Sequence, residues 1–121
     1  MHGIIKISKH YNTTAQSVDE LKAALMLGPV AISIDASSNF MKLYHSGIID
    51  WEACGTNVGH TVLAVGYGNA DSPDGEDYLI FKNSWGTSWG EMGFARISLT
   101  QKYGRSGICG VLDQGGFYAT A

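Results

Sequence analysis

Two apolar runs flank one turn-rich segment, and this arrangement limits the fold more than any other feature of the sequence. The first run spans His60 to Gly68 and the second Tyr78 to Asn83. Between them, Asn69 to Glu76 holds Ser72-Pro73-Asp74-Gly75. Runs rich in β-branched and aromatic residues, bounded by Gly, Pro and Asp, read as a β-hairpin. If Gly68 faces Gly75 across the loop, then Val65 faces Tyr78, Leu63 faces Ile80 and His60 faces Asn83. Directly opposed residues hold their Cβ atoms about 5 Å apart, which suits a bond between an imidazole nitrogen and a carboxamide oxygen. A one-residue slip would put the two side chains on opposite faces. An imidazole oriented by an amide is half of a nucleophilic constellation.

The flanking sequence supplies the rest of one domain. Ile4 to Ile7 is a candidate entering strand. Ser17-Val18-Asp19-Glu20 reads as a capping box, with Ser17 as N-cap and Glu20 returning to it. Val18, Leu21, Ala24 and Leu25 recur at helical spacing before Gly28-Pro29, which predicts a helix over 18–27. Val30 to Asp35 alternates as a strand with Val30, Ile32 and Ile34 on one face. Ser37 to Tyr44 reads as a short helix carrying Phe40, Leu43 and Tyr44. Gly93 to Leu99 is a further strand, and Phe117-Tyr118 closes the chain. Asn12-Thr13-Thr14 fits the N-glycosylation acceptor pattern. One early helix and four or more antiparallel strands imply an α+β domain, an antiparallel sheet that could curl into a barrel.

Composition removes several function classes. The net charge of −3 offers no basic face for nucleic acid. No apolar run approaches the roughly 20 residues of a membrane span, and Met1 to Ile4 is no signal peptide. Cys54 and Cys109 could form a disulfide, be two buried thiols, or be a nucleophile and a spare. With so few thiols and no neighbouring second His, no zinc site is expected. Asp71, Asp74, Glu76 and Asp77 read as a solvated loop. His2, His10 and His45 are assigned no role.

Gly59-His60-Thr61 with the following strand, and Lys82-Asn83-Ser84-Trp85-Gly86-Thr87-Ser88-Trp89-Gly90 about 20 residues later, resemble the His and Asn motifs of the papain-like cysteine peptidases. Gly28-Pro29-Val30, Tyr44 to Ile48, the two cysteines and Phe117-Tyr118 extend the resemblance over essentially the whole chain. In that family the nucleophile lies in Cys-Gly-[Ser/Ala]-Cys-[Trp/Tyr], with the His roughly 130–150 residues later. Here no Cys precedes Cys54. The resemblance therefore implies that residues 1–121 are the C-terminal, β-barrel half of such an enzyme, without the helical half that bears the nucleophilic Cys and the oxyanion-binding Gln.

By resemblance, His60 is the general base and imidazolium partner of a cysteine thiolate, and the thiolate–imidazolium pair lowers the cysteine pKa. Asn83 fixes the ring, Trp85 covers the His–Asn bond, and Trp89 lines the leaving-group side of the cleft. Cys54 and Cys109 are implied to form a disulfide. Ser33, Val58, Gly59 and Thr61 are implied to line the substrate's second pocket, with Asp113 or Gln114 near its base, where an acid would accept Arg as well as Leu. Gly59 stands where many relatives carry Asp or Asn, whereas cathepsin B-like members carry Gly there. The resemblance implies cysteine endopeptidase activity on peptide or protein substrates, no cofactor and no metal, and a lysosomal or secreted setting. This chain alone is expected to be inactive. Two rivals remain: a non-catalytic peptide-binding relative, and a serine-for-cysteine relative with a structural role.

Overall fold

The computed structural model describes residues 9–69 and 77–120. Its strands are β1 (Lys9–Asn12), β2 (Val30–Ile34), β3 (Ile48–Ile49), β4 (His60–Asn69), β5 (Asp77–Lys82), β6 (Phe94–Ser98) and β7 (Phe117–Thr120), with helices α1 (Val18–Leu25) and α2 (Asn39–Leu43). Single 3₁₀ turns occur at Glu52–Cys54 and Ile108–Gly110. The expected strand at Ile4 to Ile7 lies outside the described residues, as does the tip of the hairpin.

The strands form one sheet in the order β1-β7-β2-β4-β5-β6-β3. Every pairing is antiparallel except β3 with β6, which is parallel. The sheet is mixed and does not close, so the expected antiparallel barrel is corrected to an open, mixed sheet among the described residues. The α+β class stands, and the short helix expected within Ser37 to Tyr44 is α2.

Period-two patterning builds the sheet. Val30, Ile32 and Ile34 of β2 are buried, as are Val62 and Ala64 of β4, Leu79 and Phe81 of β5, and Ala95 and Ile97 of β6. Burial of one such large side chain is worth about 1.5–3 kcal/mol, which makes this face the core. Ser17 accepts from the Glu20 N–H at 3.2 Å, but Glu20 Oε1 accepts from the Thr14 N–H rather than reaching back to Ser17. The expected capping box is thus only half formed. α1 also ends at Leu25, two residues early, where the last turn tightens and the Leu27 N–H bonds the Ala24 carbonyl. Lys22 of α1 forms an ion pair with Asp77 and sits over the Tyr67 ring, fixing the helix to the hairpin. In α2 it is Met41 that enters the core, followed by Tyr44, while Phe40 and Leu43 point outward.

The hairpin register differs from the expected one. Leu63 faces Lys82 and Ala64 faces Phe81. Past an irregularity between Ala64 and Gly66, Gly66 faces Ile80 and Gly68 faces Tyr78. The slip is two residues at the open end and three near the loop. Val65 supplies the extra one as a β-bulge, which leaves one residue unpaired and increases local twist. Because the slip at the open end is even, His60 and Asn83 keep the same face.

Candidate active site

β2 holds the start of β4 in place. His60 is its first residue, opposite Ile34, and the Gly59 N–H bonds the Ile34 carbonyl at 3.2 Å. Asn83 is the first residue after β5, and its N–H continues the ladder to the Gly93 carbonyl at 3.0 Å. The two residues are diagonal rather than directly opposed. Diagonal neighbours on one face remain within reach of longer side chains.

His60 Nε2 and Asn83 Oδ1 are 2.9 Å apart. The Ser84 backbone N–H donates to the same Asn83 atom at 2.7 Å, which identifies it as the carboxamide oxygen. A carboxamide oxygen only accepts, so His60 Nε2 carries the proton and, in the neutral ring, Nδ1 keeps a free lone pair. Asn83 is 4% exposed, and its Nδ2 finds no acceptor among the described residues. A buried amide donor is normally paired.

One aromatic ring contacts the imidazole and others support it from behind. Trp85 lies 5.2 Å from it, centroid to centroid, and is 37% exposed. Trp89 meets Trp85 edge-on at 5.4 Å and packs on Tyr44 and Phe81. Trp89 is only 7% exposed, with its indole N–H bonded to the Met41 carbonyl at 2.9 Å. It therefore supports Trp85 from the core instead of lining an open cleft as expected. Below it, Tyr44 donates to the Gly47 carbonyl at 2.6 Å. Glu91 binds the Gly47 N–H and the Arg96 guanidinium with both oxygens.

A depression of about 340 Å³ opens beside the imidazole, lined by Asp35, Ala36, Ser37, Asn57, Gly59, His60 and Trp85. Asp35 is buried, and burial alone would push its carboxyl up. The Ser37 hydroxyl and N–H, with the Asn57 N–H, hold it below its ordinary value. The sequence assigns Asp35 no role. Its only signal is an Asp at a strand end followed by two nearby serines, a pattern that favours Asx turns. The carboxylate fixes the loop leading into His60, and the Asp35 N–H bonds the Cys109 carbonyl at 2.8 Å.

Cys54 and Cys109 are joined as a disulfide, so neither carries a free thiol. Of the expected pocket residues, the structure brings Ser33 and Thr61 together as opposed partners on the outer face of β2 and β4. Gly59 lines the depression, and half-buried Val58 approaches Gly110 so closely that a Cβ there would lie 2.6 Å from Val58 Cγ1. Asp113 and Gln114 do not join them. Asp113 accepts from the Ser106 hydroxyl at 2.8 Å. Gln114 borders a small cavity with Leu21 and Ile32, on the other face of β2 from Ser33.

A mixed sheet that presents a His and an Asn at the open end of its central hairpin, roofed by a tryptophan, defines a class that comparison then specifies. The chain belongs to the papain family of cysteine proteases: the sequence model of that family, described as papain family cysteine protease, matches residues 2–117. The chain is 38% identical over 108 residues to germination-specific cysteine protease 1 of Arabidopsis thaliana, covering 89% of this chain and 28% of that protein. It is 40% identical over 111 residues to a cathepsin L-like proteinase of Fasciola hepatica, covering 90% of this chain and 32% of that one. Among solved structures, the Carica candamarcensis cysteine protease CMS1MS2 in complex with E-64 superposes with a TM-score of 0.85 at 32% identity. That match covers 99% of this chain and 52% of the other. The chain thus spans about a third or less of these curated relatives and about half of the solved enzyme.

Proposed function

We propose that this chain forms the His- and Asn-bearing half of a cysteine endopeptidase, with residues 1–121 as its C-terminal, sheet-rich domain. The observation that carries the reading is the doubly bonded Asn83 oxygen, which holds His60 as the Nε2–H tautomer beside an open depression. In the proposed reaction, a cysteine thiol from a second, helical half gives its proton to His60 Nδ1, forming a thiolate–imidazolium pair. The thiolate attacks the scissile carbonyl, and the imidazolium protonates the departing amine, leaving a thioester. His60 then takes a proton from water, which hydrolyses the thioester and restores the thiol. The aromatic cover of Trp85 shields the His60–Asn83 bond from competing water.

One feature supports a second half. The outer face of the sheet exposes Leu63, Val65 and Phe117, a patch of the kind that marks an interaction surface. Ser33, Val58, Gly59 and Thr61 are proposed as walls of the substrate's second pocket. The disulfide supports an oxidising setting, secreted or lysosomal.

The test mixes this chain with a separately made helical half carrying the nucleophilic Cys and follows a fluorogenic dipeptide amide. Activity is expected only in the mixture, and His60→Ala should abolish it. Turnover by this chain alone, or a mixture that binds peptide without cleaving it, would overturn the reading. The second outcome would favour the non-catalytic relative.

A further inference from the structure

We infer that Asn12 is an N-glycosylation site whose glycan roots at the open edge of the sheet. The acceptor triplet Asn12-Thr13-Thr14 begins on the last residue of β1, the outermost strand in the sheet order. Alternation along an extended chain decides which side chains face solvent. Thr13 is buried, with its hydroxyl accepting the Gly116 N–H at 2.7 Å and its own N–H bonded to the Gly116 carbonyl. That clamp turns Asn12 and Thr14 outward, and both are exposed. The two residues that define the acceptor are therefore the accessible ones, and the residue between them, whose identity is free save for proline, is the one that packs.

The proposal rests on the secretory setting that the Cys54–Cys109 disulfide supports, and not on catalysis by His60. In the modification, Asn12 Nδ2 bonds to the anomeric carbon of a lipid diphosphate-linked oligosaccharide. The bond from that carbon to the diphosphate oxygen breaks, the lipid diphosphate leaves, and one Nδ2 proton passes to a base of the transferase.

The position also gives the glycan a physical task. Asn12 pairs with Phe117, Phe117 with Ala31, Ala31 with Leu63 and Leu63 with Lys82, so these residues form one row across the outer face. Strands lie about 4.8 Å apart, which puts Asn12 roughly 10 Å from Ala31 and 14 Å from Leu63. A glycan there stands at the border of the exposed apolar face, clear of the depression beside His60. It would also screen the free edge of β1, since unpaired strand edges template association with other chains.

The experiment takes the full-length protein from its own secretory cells and treats it with peptide-N-glycosidase in heavy-oxygen water. The tryptic peptide His10 to Lys22 should return with Asn12 converted to Asp carrying one heavy oxygen. The gel mobility shift on deglycosylation should vanish in Asn12→Gln and persist in Thr14→Ser. An unmodified Asn12 in secreted protein whose disulfide is formed would overturn the proposal. Occupied Asn12 on a protein without peptidase activity would overturn only the catalytic reading, and His60→Ala should carry the glycan unchanged.

Discussion

Removing the Cys54–Cys109 bond is expected to produce the largest single loss of stability. The bond closes a loop whose ends are 55 residues apart. Release of that constraint returns roughly 14 cal/mol/K to the unfolded chain, about 4 kcal/mol at 25 °C in the chain-entropy description. Both sulfurs are buried, so paired alanines also leave a void costing on the order of 1 kcal/mol. The sum, about 5 kcal/mol, corresponds to a fall in Tm of about 20 °C for a chain of this size. Cys109 adds a finer test because it holds φ at 55°, the left-handed region. Glycine adopts that region without the penalty of about 1–2 kcal/mol that a Cβ brings, so C54A/C109G should be more stable than C54A/C109A by about 1 kcal/mol. Urea unfolding followed by tryptophan fluorescence measures all three proteins. An alanine pair within about 1 kcal/mol of the parent, or a glycine variant weaker than the alanine one, would refute the reasoning.

Other perturbations separate roles that the sequence cannot. Trp89→Ala should cost about 3–5 kcal/mol as a core truncation, whereas Trp85→Ala, on a partly exposed ring, should cost about 1 kcal/mol. Urea midpoints check the order, and equal losses would mean that Trp85 is as structural as Trp89. Glu91→Gln should cost about 1 kcal/mol at neutral pH, a figure discounted for the solvent around its bond to Arg96. The Arg96 guanidinium holds the Glu91 carboxyl below its ordinary value. Its stabilisation is therefore complete above the unfolded-state value of about 4.3 and lost as pH falls through the lower folded value. Parent and Glu91→Gln should converge in stability in that acid range, and a gap that persists below it would assign the loss to packing.

Much of this geometry is legible in the sequence, and the rest is hidden for identifiable reasons. The hairpin, α1 and β2 follow from periodicities of two and 3.6, because each element buries one face. Register is less accessible. Nothing in the Ala64-Val65-Gly66 stretch announces a bulge, and the loop length alone cannot fix which residues pair. The pairing of His60 with Asn83 survives because only the parity of the slip matters for facing. Trp85 and Trp89 look alike in sequence, yet the Met41 carbonyl captures one indole N–H and leaves the other ring over the imidazole. The parallel β3–β6 pair involves two residues on each side, too few to carry a pattern. Asp113 is drawn to the pocket by resemblance alone, and nothing in the sequence announces the bond it accepts from the serine seven residues earlier.

The geometry also explains how a chain half the length of its solved relative can hold an oriented imidazole. His60 and Asn83 stand at strand ends rather than on a mobile loop, so the sheet itself sets their separation. Each is tied to the backbone on either side: Gly59 to Ile34, Asn83 to Gly93, and the Asn83 oxygen to the Ser84 N–H. Sites built on regular elements hold their geometry more tightly than sites on loops. Trp85 covers one side of the imidazole, held in turn by Trp89 and Tyr44, and Asp35 fixes the loop that leads into His60. None of these contacts needs a residue from outside the described chain. The tautomer and aim of His60 are consequently internal properties of this half. Under the proposed function, what a second half would supply is narrower: a thiol within reach of Nδ1 and donors for the oxyanion.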